Sequence, residues 1–352
     1  MNAETLSLFK TLTELPGAPG FESQVRAFVR EQIAPVSDEI ITDRLGSIFG
    51  VRRGEEGGPK IMVAGHMDEV GFMVTQITPH GMLKFSPLGG WNNGVLPAQR
   101  VHVITASGAL PGVIATPPML GKDRDKTVDM EQMFIDIGAY SKEQAMELGV
   151  KPGQQIVPVC PFTPLADGRT IMAKAWDNRY GVGLAIELLK ALKDEKLPNT
   201  LYAGATVQEE VGLKGAHTAA ELIQPDIAYV LDASPAFDAT GDRSAFGRLG
   251  DGTLLRILDG AMITHRGLVE FVTDIADSCG IRYQYYVGKG TTDASRVQLH
   301  GIGVPSTVIG ICTRYAHTSS SLIHTEDYAQ AKELLIQLVK HTDRSALETI
   351  VR

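Results

Sequence analysis

Five residues of types that bind divalent metal ions each follow a short apolar segment of this 352-residue chain. They are His66 after IMVAG, Asp177 in AKAWD, Glu210 in ATVQEE, Asp232 after AYVL and His317 in ICTRYAH. Short apolar runs are typical of buried strands in a parallel sheet, and ligands of such sheets bind beyond the carboxyl ends of the strands. We therefore expect these five side chains to meet at one edge of one sheet.

The chemistry of this set indicates a pair of metal ions. Imidazole and carboxylate ligands without a thiolate favour zinc, cobalt or manganese. Three carboxylates and a bridging hydroxide would neutralise two divalent ions, so the cluster could occupy a partly buried cleft. We expect Asp177 to bridge the ions, each of which takes one histidine and one further carboxylate. Paired ions about 3.5–4 Å apart activate water and polarise a carbonyl.

Two further acidic residues adjoin the expected ligands. Glu209 and Glu210 are neighbours and cannot both face one metal in the same way, so we assign Glu210 to the metal and Glu209 to general-base catalysis. Spacing alone leaves the reverse assignment open. Asp68 follows His66 by two residues, so we expect its carboxylate to accept the second ring N–H of that histidine.

Each of these features is also common in proteins without a metal site. An isolated Glu-Glu pair is usually a solvated surface pair, and a histidine after a strand is usually a hydrogen-bonded turn residue. Asp232, which precedes Ala-Ser, could simply cap the next turn. The coincidence of five such residues at strand ends is what favours a metal site.

The strand and helix patterns divide the chain into two domains. Before about residue 70 and after about residue 168 short apolar strands alternate with amphipathic helices, whereas the intervening stretch consists of short β-like runs separated by Gly and Pro. This predicts an α/β protein: a doubly wound α/β/α catalytic domain (residues 1–70 and 168–352) with an inserted all-β, barrel-like domain (residues 71–167). Gly- and Pro-rich stretches at 89–97 and 116–126 are candidate mobile loops.

Composition excludes several classes of function. A formal net charge of −8 offers no basic stripe for nucleic acid, and neither a Walker phosphate loop nor a GxGxxG motif is present. No apolar stretch approaches the length needed to span a membrane. Three scattered cysteines argue for reduced thiols, and hence for a cytoplasmic protein.

The motifs resemble the dinuclear metallo-aminopeptidases of the glutamyl aminopeptidase type, also called tetrahedral aminopeptidases. The matching segments, which run through nearly the whole chain, are GHMDEVGFMV, KAWDNRYG, VQEEVGLKGAH, LDASPA, GDGTLLR, YYVGKGTTDASR and GVPSTVIGICTRYAH. The long gap between His66 and Asp177 separates this order from related carboxypeptidases and deacylases, where the extra domain falls between the last two ligands. One departure is Thr291, which stands where relatives usually have a glycine.

The resemblance implies an activity, a set of site residues and an assembly. Metal would be bound by His66, Asp177, Glu210, Asp232 and His317, with Asp68 and Glu209 catalytic. The substrates would be short peptides with a free N-terminus, and the assembly a homododecamer of dimers that meet through the β-domain. We expect removal of N-terminal residues, with Glu and Asp preferred.

The candidates for substrate recognition are two cationic residues. A pocket for Glu or Asp needs a cation, and the candidates are Arg256, among apolar neighbours in a strand-like segment, and Lys289, between two glycines. An internal carboxylate could equally be the partner of Arg256, because an unpaired buried guanidinium is costly.

Two other functions are compatible with the same residues. An N-acyl amino acid or peptide deacylase would use the same dinuclear site but would cleave a blocked amine. A non-catalytic scaffold could keep the fold, although Glu209 and Asp68 would then have no role. Activity on polysaccharides lacks support, because no paired acid and nucleophile lies outside the metal cluster.

Overall fold

A mixed eight-stranded sheet lies at the centre of the computed structural model, which describes residues 1–117, 126–241 and 246–352. Its strands in spatial order are β1 (Glu39–Thr42), β2 (Ile48–Arg52), β12 (Thr200–Thr206), β3 (Lys60–His66), β13 (Ile227–Pro235), β16 (Ser306–Thr313), β14 (Thr253–Leu258) and β15 (Tyr283–Val287). The four central strands β12, β3, β13 and β16 are parallel, so their carboxyl ends meet at one edge.

Alternating side chains of the central strands pack against helices on both faces of the sheet. Ile61 and Val63 of β3 belong to the larger core, and Met62 and Ala64 belong to the smaller core on the other face. The larger core contains α1 (Ala3–Glu14), α2 (Ser23–Ile33), α4 (Trp176–Ala191), α6 (Arg266–Ser278), α8 (Thr325–His341) and α9 (Arg344–Ile350). The smaller core contains α5 (Lys214–Ile223) and α7 (Asp293–Val297). This period-two burial produces the predicted α/β/α arrangement.

A closed antiparallel barrel is inserted after β3. Its strands are β4 (Gly71–Ile77), β5 (Leu83–Leu88), β6 (Arg100–Thr105), β7 (Gly108–Ala115), β8 (Phe134–Asp136) and β9 (Gln155–Pro158), which close in the order β4-β5-β8-β7-β6-β9. Phe72, Leu83, Val103 and Ile156 are among the residues of its separate hydrophobic core, and α3 (Lys142–Glu147) lies between β8 and β9. The predicted barrel-like insertion is confirmed, while the limits 71–167 and the dimerisation role remain predictions.

A small antiparallel sheet adjoins the start of α4. It consists of β10 (Thr163–Pro164), β11 (Thr170–Ala173) and β17 (Ser321–His324). The segment before Asp177 is β11, which pairs with β17 and not with the large sheet. We expected all five predicted metal ligands to follow strands of one sheet. For Asp177 this expectation is wrong.

One of the two candidate mobile loops falls largely in a gap of the described ranges. Of the stretch at 116–126, residues 118–125 lie outside the described residues. Within the described ranges, no helix combines the length and the apolar composition that crossing a bilayer requires.

Candidate active site

The five predicted metal ligands and the predicted general base, Glu209, line one cavity at the carboxyl edge of the large sheet. The residues in question are His66 at the end of β3, Glu209 and Glu210 after β12, Asp232 in β13, His317 after β16 and Asp177 at the start of α4. The cavity has a volume of about 750 Å³ and opens to solvent. Five chain segments that are distant in sequence therefore contribute side chains to one place.

Asp177 lies between the two histidines. Its Oδ1 is 3.1 Å from His66 Nε2, and its Oδ2 is 3.3 Å from His317 Nε2. Each carboxylate oxygen thus faces a different imidazole, as a bridging ligand requires.

The other carboxylates are divided between these two sides. Glu210 Oε1 lies 3.4 Å from His317 Nε2, and Glu209 Oε2 lies 3.9 Å from His66 Nε2. Possible ligand atoms of His66, Glu209 and Asp232 lie within 4.8 Å of one another, as do those of His66, Asp177 and Glu210. Glu209 and Glu210 therefore both come within reach of an ion.

The histidines and Asp177 stabilise one another's charged forms. Burial alone would lower the pKa of both histidines, but neighbouring carboxylates raise the pKa of His66 well above its usual value and that of His317 to about 10. Burial likewise opposes ionisation of Asp177, yet its hydrogen bonds to the two imidazoles hold its pKa well below normal. The surrounding carboxylates therefore favour positive charge on the two imidazoles.

The remaining carboxyl groups show the opposite effect. Burial and the nearby charge of Asp177 raise the pKa of Glu210 to about 8 and that of Asp232 to about 7. Burial, reinforced by Asp293 and Glu210, also raises the pKa of Glu209 well above its usual value. The cavity thus concentrates more negative charge than the histidines can balance.

This donor set fits divalent cations. Glu210 Oε1 is buried and accepts no hydrogen bond from any residue that the structure describes. A buried carboxylate oxygen without a donor is costly, and a cation beside it would remove that cost. A set of ligands made of imidazole nitrogens and carboxylate oxygens suits zinc, cobalt or manganese.

Asp68 lies behind the cavity wall and is fully buried. Its Oδ1 and Oδ2 accept hydrogen bonds from the backbone N–H groups of Glu209 and Glu210, at 3.1 and 3.0 Å. The acceptor nearest to His66 Nδ1 is the backbone carbonyl of Asp68 at 3.1 Å, and the Asp68 carboxylate is 3.5 Å away. The structure thus places Asp68 where it orients the Glu209–Glu210 turn as well as the histidine.

Close packing of α4 on β3 fixes the position of Asp177. A Cβ atom added to Gly65 would lie 2.5 Å from the backbone carbon of Gly181, so only glycine permits this approach. Asn178, which follows Asp177, donates to the Leu231 carbonyl at 2.6 Å beside Asp232. Sequence reasoning missed Asn178, although its place directly after a predicted ligand was a usable signal.

His317 is oriented by the barrel. Its Nδ1 lies 2.9 Å from the carbonyl oxygen of Gly90, in the loop that follows β5. The same stretch contains Trp91, which stacks on Phe72 at 4.8 Å, and Gln99, whose Oε1 accepts from Ser319 at 2.5 Å. No local pattern predicts these contacts, because the contribution of Gly90 comes from its backbone carbonyl.

The two predicted substrate-binding cations lie on the cavity wall in different surroundings. Arg256 is buried, with Nη1 3.3 Å from Asp259 Oδ2 and Nη2 2.6 Å from Ser234 Oγ. Its Nε is buried and has no hydrogen-bond partner in the described part of the chain. Lys289 is exposed and forms no ion pair with any described residue. An internal carboxylate therefore pairs with Arg256, whose Nε–H has no acceptor among the described residues.

These features are those of a family of metal-dependent aminopeptidases, to which the chain belongs. Residues 46–334 match the family described as M42 glutamyl aminopeptidase. The chain is 39% identical to the glutamyl aminopeptidase of Lactococcus lactis subsp. cremoris over 96% of both chains. It is 32% identical to the lysyl aminopeptidase of Pyrococcus furiosus, over 94% of this chain and 96% of that protein.

Solved structures agree with this assignment. The TET aminopeptidase of a marine sediment Thaumarchaeota archaeon superposes with a TM-score of 0.96 at 42% identity, covering 99% of each chain. The TET1 peptidase of Pyrococcus horikoshii, described as able to form a tetrahedron or a large octahedral shell, has a TM-score of 0.87 at 34% identity, covering 96% of this chain and 99% of that one. The family predicted from the motifs is confirmed, and the chain is a hydrolase of the aminopeptidase type.

Proposed function

We propose that this protein removes N-terminal residues from short peptides, preferentially Glu and Asp, with two divalent metal ions per subunit. The observation that carries the proposal is the position of Asp177, whose two oxygens face the two histidines in a cavity open to solvent. Family membership supports the aminopeptidase activity. The number of ions rests on the ligand geometry, and the side-chain preference rests on the cations of the cavity wall.

The ligand roles follow from the division of the side chains. His66 and Asp232 would hold one ion and His317 and Glu210 the other, with Asp177 shared between them. When bound, such a pair polarises a carbonyl and lowers the pKa of a water to about 7. Zinc and cobalt suit these ligands best, and manganese is the alternative.

Glu209 is the group that we assign to proton transfer. Its carboxylate lines the cavity beside His66 and is oriented from behind by Asp68. Burial raises the pKa of Glu209, which suits a group that takes a proton from the attacking water and passes it to the leaving amine. Asp68 does not line the cavity and acts by holding Glu209 and Glu210 in place.

Side-chain preference follows from the cations of the cavity wall. Arg256 lines the cavity with its guanidinium fixed by Asp259 and Ser234, so its positive charge would lie beside an acidic side chain of the substrate. Lys289 supplies charge without a competing internal partner among the described residues. Together they favour an acidic residue at the N-terminus of the peptide. The relative named as a lysyl aminopeptidase makes lysine the informative competitor.

We also propose that the protein forms a homo-oligomer, with a dodecamer of barrel-linked dimers as the expected form. Related peptidases assemble into tetrahedral shells, and the barrel carries apolar side chains on its surface. Tyr140, just before α3, is 87% exposed, and Met146, within α3, is 54% exposed. Light scattering coupled to size-exclusion chromatography would report the mass directly. A monomer at micromolar concentration would contradict this proposal.

The test of the activity uses metal-stripped protein with free-amine Glu-, Asp-, Leu- and Lys-p-nitroanilides, before and after addition of Zn²⁺ or Co²⁺. We expect metal-dependent release with Glu or Asp fastest. N-acetylated substrates serve as the control, because a deacylase would cleave them and an aminopeptidase would not. Release that favours Leu or Lys would refute the acidic preference while leaving the aminopeptidase intact.

The matched variant for the preference is Lys289→Met. It should reduce the ratio of Glu to Leu turnover while leaving Leu turnover unchanged, because the methionine has a similar length and no charge. An unchanged ratio would show that Lys289 does not contact the substrate side chain.

A further inference from the structure

Three carboxylate hydrogen bonds hold the turn that carries Glu209 and Glu210. The backbone N–H groups of three consecutive residues, Gln208 to Glu210, each donate to a carboxylate oxygen. Asp68 accepts from Glu209 and Glu210, and Glu22 Oε1 accepts from Gln208 at 3.1 Å. Gln208 has φ +54°, a left-handed conformation that a residue with a side chain adopts only when its surroundings impose it.

Glu22 is buried beside this turn without serving as a helix cap or as half of an ion pair. It stands at the N-cap of α2, but its side chain makes no capping hydrogen bond to that helix. It is only 5% exposed and forms no ion pair within the described ranges. Burial and the charge of Asp68 raise the pKa of Glu22, so its carboxylate is costly to keep there.

The hydrogen bonds that the Glu22 side chain accepts join the connection between α1 and α2 to the active-site turn. Besides Gln208, its Oε1 accepts from the Gly20 N–H at 2.8 Å, which fixes the side chain itself. Glu22 does not line the cavity and cannot touch a substrate there. The hydrogen bond that links Glu22 to the site is donated by the peptide group that precedes Glu209.

We propose that Glu22 is a positioning residue that holds Gln208 in its left-handed conformation and thereby sets where the Glu209 and Glu210 carboxylates lie. This rests on the proposed function for the roles of those two side chains. Without the acceptor, the partly buried Gln208 N–H loses its partner and the residue relaxes toward an ordinary conformation. Left-handed backbone is unfavourable for such a residue. Relaxation would rotate the next peptide and move both carboxylates.

The experiment compares three substitutions in the full-length protein. Glu22→Gln keeps an acceptor oxygen at the same distance, Glu22→Asp keeps the charge but withdraws the oxygen by about 1.5 Å, the length of one bond, and Glu22→Ala removes the acceptor. We expect kcat on a free-amine peptide substrate to fall about 10–100-fold in the Ala variant, with little change in KM. The Gln variant should be close to wild type and the Asp variant intermediate.

Affinity for Zn²⁺, measured by competition with a chromophoric chelator, is the second readout. The Ala variant should bind zinc more weakly than wild type by a comparable factor, because Glu210 is displaced. Asp327→Asn is the matched control: Asp327 is a buried carboxylate that accepts two backbone N–H groups, from Gly250 and Gly252, both at 2.8 Å. It should leave kcat and zinc affinity unchanged.

The outcomes distinguish this proposal from the proposed function. If Glu22→Ala matches wild type in kcat and in zinc affinity, the proposal is overturned although the aminopeptidase stands. If the Ala variant does not fold, the kcat values of the Gln and Asp variants decide between the outcomes. An Asp variant with a higher kcat than the Gln variant overturns the positioning role of Glu22. Wild-type protein that binds zinc in a Glu22-dependent way but cleaves no peptide would support the positioning role and refute the activity.

Discussion

Replacing Arg256 with methionine should destabilise the fold by about 3 kcal/mol, because it leaves a buried carboxylate without its cation. The guanidinium lies 3.3 Å from Asp259, hydrogen-bonds to Ser234 and stands over the Tyr286 ring at 5.5 Å. Asp259 is itself buried. A substitution aimed only at substrate specificity would therefore also disturb the stability of the protein.

The magnitude follows from this geometry. Two unit charges at the 3.3 Å separation of Arg256 and Asp259 attract each other by about 5 kcal/mol at an effective dielectric constant of about 20. Removing one partner of a buried pair typically costs about 3–5 kcal/mol. Asp259 keeps hydrogen bonds from the backbone N–H groups of Ala261 and Met262 and from the Thr292 hydroxyl. Because these hydrogen bonds remain, we expect Arg256→Met to lower the free energy of unfolding by about 3 kcal/mol, the lower limit of that range.

The assay is urea unfolding of wild type, Arg256→Met, Asp259→Asn and the double variant, analysed as a double-mutant cycle. The double variant should recover most of the stability lost in Arg256→Met. A coupling energy below about 0.5 kcal/mol would refute the ion-pair reasoning. The double variant also gives the cleaner specificity test, and an unchanged ratio of Glu to Leu turnover there would show that Arg256 does not contribute to the acidic preference.

The other predictions concern the metal site. Glu209→Gln should lower kcat by about 10² to 10⁴ with zinc content unchanged, and loss of zinc instead would make Glu209 the ligand and Glu210 the base. His317→Ala should reduce zinc from two ions to one per chain in equilibrium dialysis, whereas retention of two would exclude His317 as a ligand. Zinc binding should release more protons at about pH 6 than at about pH 9. The reason is that burial raises the pKa of Asp232 to about 7 and that of Glu210 to about 8, so the metal must displace these protons only at the lower pH. Calorimetry in buffers of different ionisation enthalpy measures this release, and equal release at both values would contradict the assignment.

The local sequence pattern was sufficient to predict those strands whose position depends on burial alone. Strand β3 is apolar on both faces and ends at His66, and Asp232 follows the apolar first part of β13, which continues to Pro235, so the position of both near the sheet edge could be predicted. The barrel was predictable from the period and the spacing of its strands. Family-specific motifs then supplied the order of the ligands.

Pairings between distant segments were not accessible in this way. Strand β11 pairs with β17, so that Thr170 stands opposite His324, and no local signal says that this strand leaves the large sheet. The hydrogen bond from Gln208 to Glu22 joins residues 186 positions apart. Such contacts depend on the whole fold.

The contact of the barrel loop with His317 limits how the two domains can be exchanged. Gly90 orients the imidazole through its carbonyl oxygen, and a side chain at position 89 would begin 3.0 Å from Glu210 Oε2. A chimera that takes its barrel from another enzyme must therefore keep the recipient's own loop sequence where it meets the catalytic domain. Deleting the barrel to obtain a minimal peptidase would leave His317 without its orienting acceptor, so we expect an ordered site to need the barrel.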